Sequence, residues 1–177
     1  MSDETVKIIY PFTTTFLDYP TDEDETVIVY FIGCNYDCKS CQNIFLRNHN
    51  TTTTNTIEIT VDKFIRLVEI ALKNHRTNKL ILSGGDSLSS KNRLFTKEFL
   101  DNKPEGIDVC VYTGNLIALV MNIGLKNFKF LKTGTYEEKL KQNPQKTNTF
   151  FRLASSNQKL YNENLELISE NGIYYFK

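Results

Sequence analysis

The chain is 177 residues long, the size of one domain, and its 40% apolar and 12% aromatic residues suffice for a single core, so residues 1–177 are expected to fold as one unit. Lysine plus arginine and aspartate plus glutamate number 21 each, so no long-range field draws the chain to nucleic acid or to an anionic membrane surface. The opening MSDETVKIIY has neither the basic start nor the apolar run of a signal peptide, and no apolar stretch reaches about 18 residues, so the cytoplasm is the expected location.

In chain order, Asp22-Glu23-Asp24-Glu25 reads as an exposed turn before the first core strand. Residues 26–32 (TVIVYFI) are a β-branched and aromatic run suited to a strand buried on both faces. Three cysteines follow, and then a polar spacer from Thr51 to Thr54 that reads as a solvated loop. Thr60 can cap a helix running to about His75, with Phe64, Leu67, Val68, Ala71 and Leu72 on one face. Residues 79–83 (KLILS) predict a second strand ending at Gly84-Gly85, and Leu94, Phe95 and Phe99 mark a weaker helix. After the turn at Pro104-Glu105-Gly106, residues 107–112 predict a third strand running into Thr113-Gly114, residues 115–125 a third helix and residues 128–132 a fourth strand.

Alternating strands and helices predict an α/β fold with a mainly parallel sheet. The chain is too short for a full eight-fold barrel of ~250 residues, so an open partial (β/α) barrel is expected. That arrangement puts the cysteine loop, Gly84-Gly85 and Thr113-Gly114 just past the carboxyl ends of successive strands, where parallel sheets gather ligand sites.

The segment GCNYDCKSC (33–41) offers Cys34, Cys38 and Cys41 at spacings of four and three on one loop. The fourth cysteine, Cys110, stands alone in an apolar run, a poor arrangement for paired disulfides and a better one for metal. Three thiolates on an iron–sulfur cubane leave one iron open to a substrate. The alternative is structural zinc, with His49 as fourth ligand. In LILSGGDSL (80–88), Gly84 and Gly85 allow close approach of a ligand, and Asp86 could pair with an ammonium group; the same residues also make an ordinary turn. In YTGN (112–115), Thr113 could contact a ribose or carboxylate, or Asn115 could simply cap the next helix. His49 and His75 read as solvated side chains. Cys110 reads as a small buried hydrophobe with a redox role as the alternative, and Phe150-Phe151 and Tyr174-Tyr175-Phe176 as core or partner-docking surface.

These residues carry a resemblance. CNYDCKSC is similar to the CxxxCxxC signature of the radical S-adenosylmethionine superfamily, and Gly84-Gly85-Asp86 resembles its Gly-Gly-Glu/Asp motif, which holds the amino group of the methionine moiety. Within the superfamily the chain most resembles the activating proteins of anaerobic ribonucleoside-triphosphate reductase, over about residues 12–162. FLDYP (16–20), the cysteine loop with Gln42-Asn43, LSGGDSL, VYTGN, LKTGTYEEKL (131–140) and FRLASSNQKL (151–160) carry this likeness, the last being the most specific. The resemblance implies a [4Fe–4S] cluster on Cys34, Cys38 and Cys41, with S-adenosylmethionine against Tyr36, Ser40, Cys41, Gln42, Gly84, Gly85, Asp86 and Thr113. Ser40 stands where many members carry an aromatic residue, which leaves Tyr36 as the candidate to stack on adenine. No role is carried over to Lys132 or Thr133.

The implied activity is reductive cleavage of S-adenosylmethionine to a 5′-deoxyadenosyl radical, fed by an electron donor such as a flavodoxin. That radical would abstract a glycine Cα hydrogen from the large subunit of the reductase. Two alternatives stand beside it. One is activation of another glycyl radical enzyme or modification of a small molecule; the other is a zinc-stabilised interaction module.

Overall fold

The computed structural model describes residues 4–21 and 25–176; of the acidic run, residues 22–24 lie outside them. Glu25 meets His75 Nδ1 at 2.9 Å. Alternation shapes the first strand, Thr5–Ile9 (β1), where Val6 and Ile8 are buried and Thr5 is exposed. A short strand Thr13–Thr15 (β2) precedes Thr26–Phe31 (β3), whose continuous apolar run is buried at all but one position. Thr56–Thr60 (β4) leads directly into the helix Val61–His75 (α1), and Thr51 to Thr54 form the expected loop. Thr60 occupies the cap position, yet its side chain makes no bond to the first turn.

Next come Lys79–Gly84 (β5), Arg93–Asn102 (α2), Asp108–Tyr112 (β6), Ile117–Asn122 (α3) and Phe130–Thr133 (β7). The last part of the chain adds Gln145–Lys146 (β8), Phe150–Arg152 (β9), Lys159–Asn162 (β10) and Ile173–Tyr175 (β11). The expected third helix over residues 115–125 shrinks to α3, because Asn115 turns inward to bond Leu88 and Thr113 instead of capping.

The fold is mixed α/β. Its main sheet runs β10-β7-β6-β5-β3-β1-β4, with β2 also on β3. The centre, β3-β5-β6-β7, is parallel; β10, β1, β4 and β2 join antiparallel. Helices cover one face, where Phe31, Phe64, Phe95 and Phe99 meet edge to face with centroids as close as 4.8 Å. A small sheet β11-β9-β8 accompanies the other face. Its Phe151 is buried with Ile28, Ile81, Cys110 and Phe130, and Tyr174 and Phe176 pack against them, so these aromatics belong to a core, while Tyr175 is exposed. Burial raises the Cys110 thiol well above its ordinary range, in keeping with a small hydrophobe. Among the described residues, no helix is long and apolar enough to cross a membrane.

Candidate functional site

Strand register decides what the covered face presents. Ile28, Ile81, Cys110 and Phe130 lie side by side across the four parallel strands and form an apolar row. Side chains on one face recur every second residue, so the next row toward the carboxyl ends is Tyr30, Ser83, Tyr112 and Lys132. Two residues further on, the chain carries Ile32, Gly85, Gly114 and Gly134. The face thus passes from apolar, through polar, to a step with almost no side chain.

Above that step lies a cavity of about 430 Å³. Cys34, Cys38 and Cys41 all open onto it, as do Tyr36, Ser40 and Gln42 of the same loop and Gly84, Gly85 and Thr113 from the strand ends. Its floor is Tyr30, Tyr112 and Lys132, and residues 151–154 with Gln158 wall the far side. Of the ten sequence-derived positions one is an exception: Asp86 does not line the cavity. Its carboxylate is buried and accepts from Leu88 N–H at 2.8 Å, Thr113 Oγ1 at 3.0 Å and Gly114 N–H at 3.0 Å. An acid satisfied in this way ties the two strand ends together rather than facing an ammonium group in the cavity. Burial still pushes its pKa up to about 6, against the donors and Lys132, which hold it down.

The cysteine loop is closed at its base by Gly33 N–H to Leu46 O at 2.8 Å and Cys34 N–H to Arg47 O at 2.9 Å. Asn35 grips Ser90 through its amide, accepting from Ser90 N–H at 2.6 Å, and Arg47 pairs with exposed Asp37. Gly85 lies directly beneath: a Cβ there would stand 2.5 Å from the Gly33 carbonyl oxygen and 2.8 Å from that of Leu46. Gly84 adopts φ 107°, a conformation that favours glycine.

All three cysteines are unpaired and partly exposed. Tyr36 N–H donates to Cys34 Sγ at 3.4 Å. Burial pushes the Cys34 thiol up to about 11, with the Tyr36 amide opposing, so metal binding at neutral pH must displace its proton. Three soft thiols opening onto one recess are the donor set an iron–sulfur cluster takes, although among the described residues they are not drawn together around a single metal-ion position. His49 instead stands at a second, more open hollow on the outer side of the loop, which Cys34 shares but Cys38 and Cys41 do not. Its ring packs against Gly33, and burial lowers its pKa.

Lys132 was missed by motif reading. It is half-buried, with Nζ 4.9 Å from the Tyr112 ring centroid, and burial lowers its pKa while Asp86 and other negative groups hold it up. Alternation within residues 128–132 was the available signal, since it sets Lys132 on the same face as Phe130. The FRLASSNQKL segment serves the wall: Gln158 Nε2 donates to Gly134 O at 3.3 Å and Asn157 Nδ2 to Thr135 O at 2.9 Å.

A family model described as "4Fe-4S single cluster domain" matches residues 25–161. No curated protein matches the chain.

Proposed function

This chain belongs to the 4Fe-4S single cluster domain family, and from that premise we propose that it is a radical S-adenosylmethionine enzyme activating the large subunit of anaerobic ribonucleoside-triphosphate reductase. The observation that carries the reading is the opening of Cys34, Cys38 and Cys41 onto one cavity, together with Gly84, Gly85 and Thr113. Three thiolates leave one iron of a cubane without a protein ligand. When bound, the cluster supplies an electron, from a donor such as a flavodoxin, that splits S-adenosylmethionine into methionine and a 5′-deoxyadenosyl radical.

The chain's own task is binding and exclusion. Gly85 brings backbone against the cysteine loop, Thr113 bounds the cavity from the next strand end, and Ser40 and Gln42 line it beside the third cysteine. Tyr36 presents a ring beside the cysteines, and Lys132 puts a positive charge in the floor. In this reading a glycine-bearing loop of the reductase subunit enters the cavity and closes the site against water. The SSNQ segment that fastens the wall supports this partner over other glycyl radical enzymes, because it carries the resemblance to the reductase activators.

Anaerobic reconstitution with iron and sulfide, reduction, and chromatography for 5′-deoxyadenosine after adding S-adenosylmethionine tests this reading. The native chain is expected to give product and Cys38→Ala none. A native cubane that yields no product, with or without the reductase subunit, would sink it.

A further inference from the structure

We propose that Tyr36 is a positioning residue for the cluster, its hydroxyl anchored on Asn115 so that the peptide between Cys34 and Cys38 is held in place. This rests on the family's cluster and not on cleavage of S-adenosylmethionine.

Tyr36 lies two residues after Cys34 and two before Cys38. It is held at three points. Its N–H reaches Cys34 Sγ at 3.4 Å, its hydroxyl donates to Asn115 Oδ1 at 2.9 Å, and its ring lies on Gly114, where a Cβ would come within 2.6 Å of it. The hydroxyl and ring contacts come from the strand end after β6, on the other side of the cavity from the loop's own base.

Asn115 can serve as an anchor because its own orientation is fixed. Its Nδ2 donates to Leu88 O at 3.1 Å and to Thr113 Oγ1 at 2.7 Å, which turns Oδ1 toward Tyr36. Thr113 in turn donates to Asp86, and Gly114 N–H donates to the same carboxylate oxygen. Asp86 N–H closes the path by donating to Gly33 O at 2.8 Å, one residue before the first ligand. A buried carboxylate, an amide and a phenol therefore brace the cysteine loop from below and from across. Outer partners of this kind orient metal ligands, and hydrogen bonds to cluster sulfur tune its electronics.

The arrangement gives Tyr36 a role separable from stacking on adenine. Tyr36→Phe keeps the ring and removes only the anchor. The test loads native chain, Tyr36→Phe, Asn115→Ala and the double variant with iron and sulfide, then follows bleaching of the cluster after adding EDTA. Tyr36→Phe is expected to lose iron roughly tenfold faster than native. Its reduced-cluster EPR signal should be broadened, and its apo protein should unfold at the native urea concentration. In the Asn115→Ala background the same change should add nothing, because the anchor is already gone.

Iron loss from Tyr36→Phe at the native rate with an unchanged EPR signal overturns the proposal. So does an equal acceleration in both backgrounds, which would place the hydroxyl's effect elsewhere. Tyr36→Phe decides by itself should Asn115→Ala fail to fold.

Discussion

The face of the sheet beneath the helices is filled by aromatic rings, whereas the opposite face changes character every second residue toward the strand ends. Phe31, Phe64, Phe95 and Phe99 are all fully buried on the first. On the second, apolar Ile28, Ile81, Cys110 and Phe130 give way to Tyr30, Ser83, Tyr112 and Lys132, and then to Ile32 and three glycines. Stability and chemistry are thus assigned to different sides of the same four strands. A close-packed aromatic face tolerates little change, and it leaves the other face free to hold a half-buried lysine and an empty step for a ligand.

The sharpest way to break this division is Phe64→Ala. Phe64 contacts Phe12, Phe31, Phe95 and Phe99, so its truncation should cost about 3–5 kcal/mol in the urea unfolding of the apo chain. The surviving folded fraction should still take up iron and sulfide. A loss below about 1 kcal/mol would mean that the helical face is not where stability resides.

A pH titration of Asp86 has the next largest effect. Its pKa rises from 3.8 to about 6 on folding, so the native state holds the proton more tightly. The contribution is therefore fully present below pH 3.8 and is lost as pH rises through about 6. At about 1.4 kcal/mol per pH unit, the span is worth up to roughly 3 kcal/mol. The charge facing Asp86 is Lys132; the Cys34 thiol and the Tyr36 hydroxyl, which also face it, are neutral across this window. Urea midpoints of the native chain should fall relative to those of Asp86→Asn across that window; a flat or rising difference contradicts the buried, raised carboxyl.

Gly85→Ala sharpens the contrast from the glycine step. The added methyl meets backbone of the cysteine loop rather than a flexible side chain, so roughly 1–3 kcal/mol of strain is expected. Most of the effect should appear as weakened cluster binding, read as iron bound per chain after reconstitution. Full loading would show that the loop yields freely.

Long apolar runs made much of this legible in sequence. β3, β5, β6 and β7 are short buried stretches, and α1 carries a clear apolar face, so the parallel core and its order could be read directly. β1 and β4 escaped because each is five residues long with only two or three buried or half-buried apolar positions, too short an alternation to stand out from loop. β8, β9 and β11 are two or three residues each and exist through pairing that no local pattern encodes. At the site, the spacing of the three cysteines marked the loop that opens onto the cavity. The inward turn of Asp86 could not, because a strand-end acid looks the same in sequence whether it faces a ligand or the neighbouring strand end. Tyr36 and Asn115 lie 79 positions apart, and only the fold brings them together.

The walls of the cavity are made of late chain. Residues 151–154 and Gln158 enclose a recess whose three cysteines end at position 41. During synthesis from the amino end, the thiols therefore leave the ribosome more than a hundred residues before the segment that shelters them. For that interval the ligands are open to any iron, zinc or oxidant in reach, and the order of translation, rather than the finished structure, decides when the recess begins to discriminate.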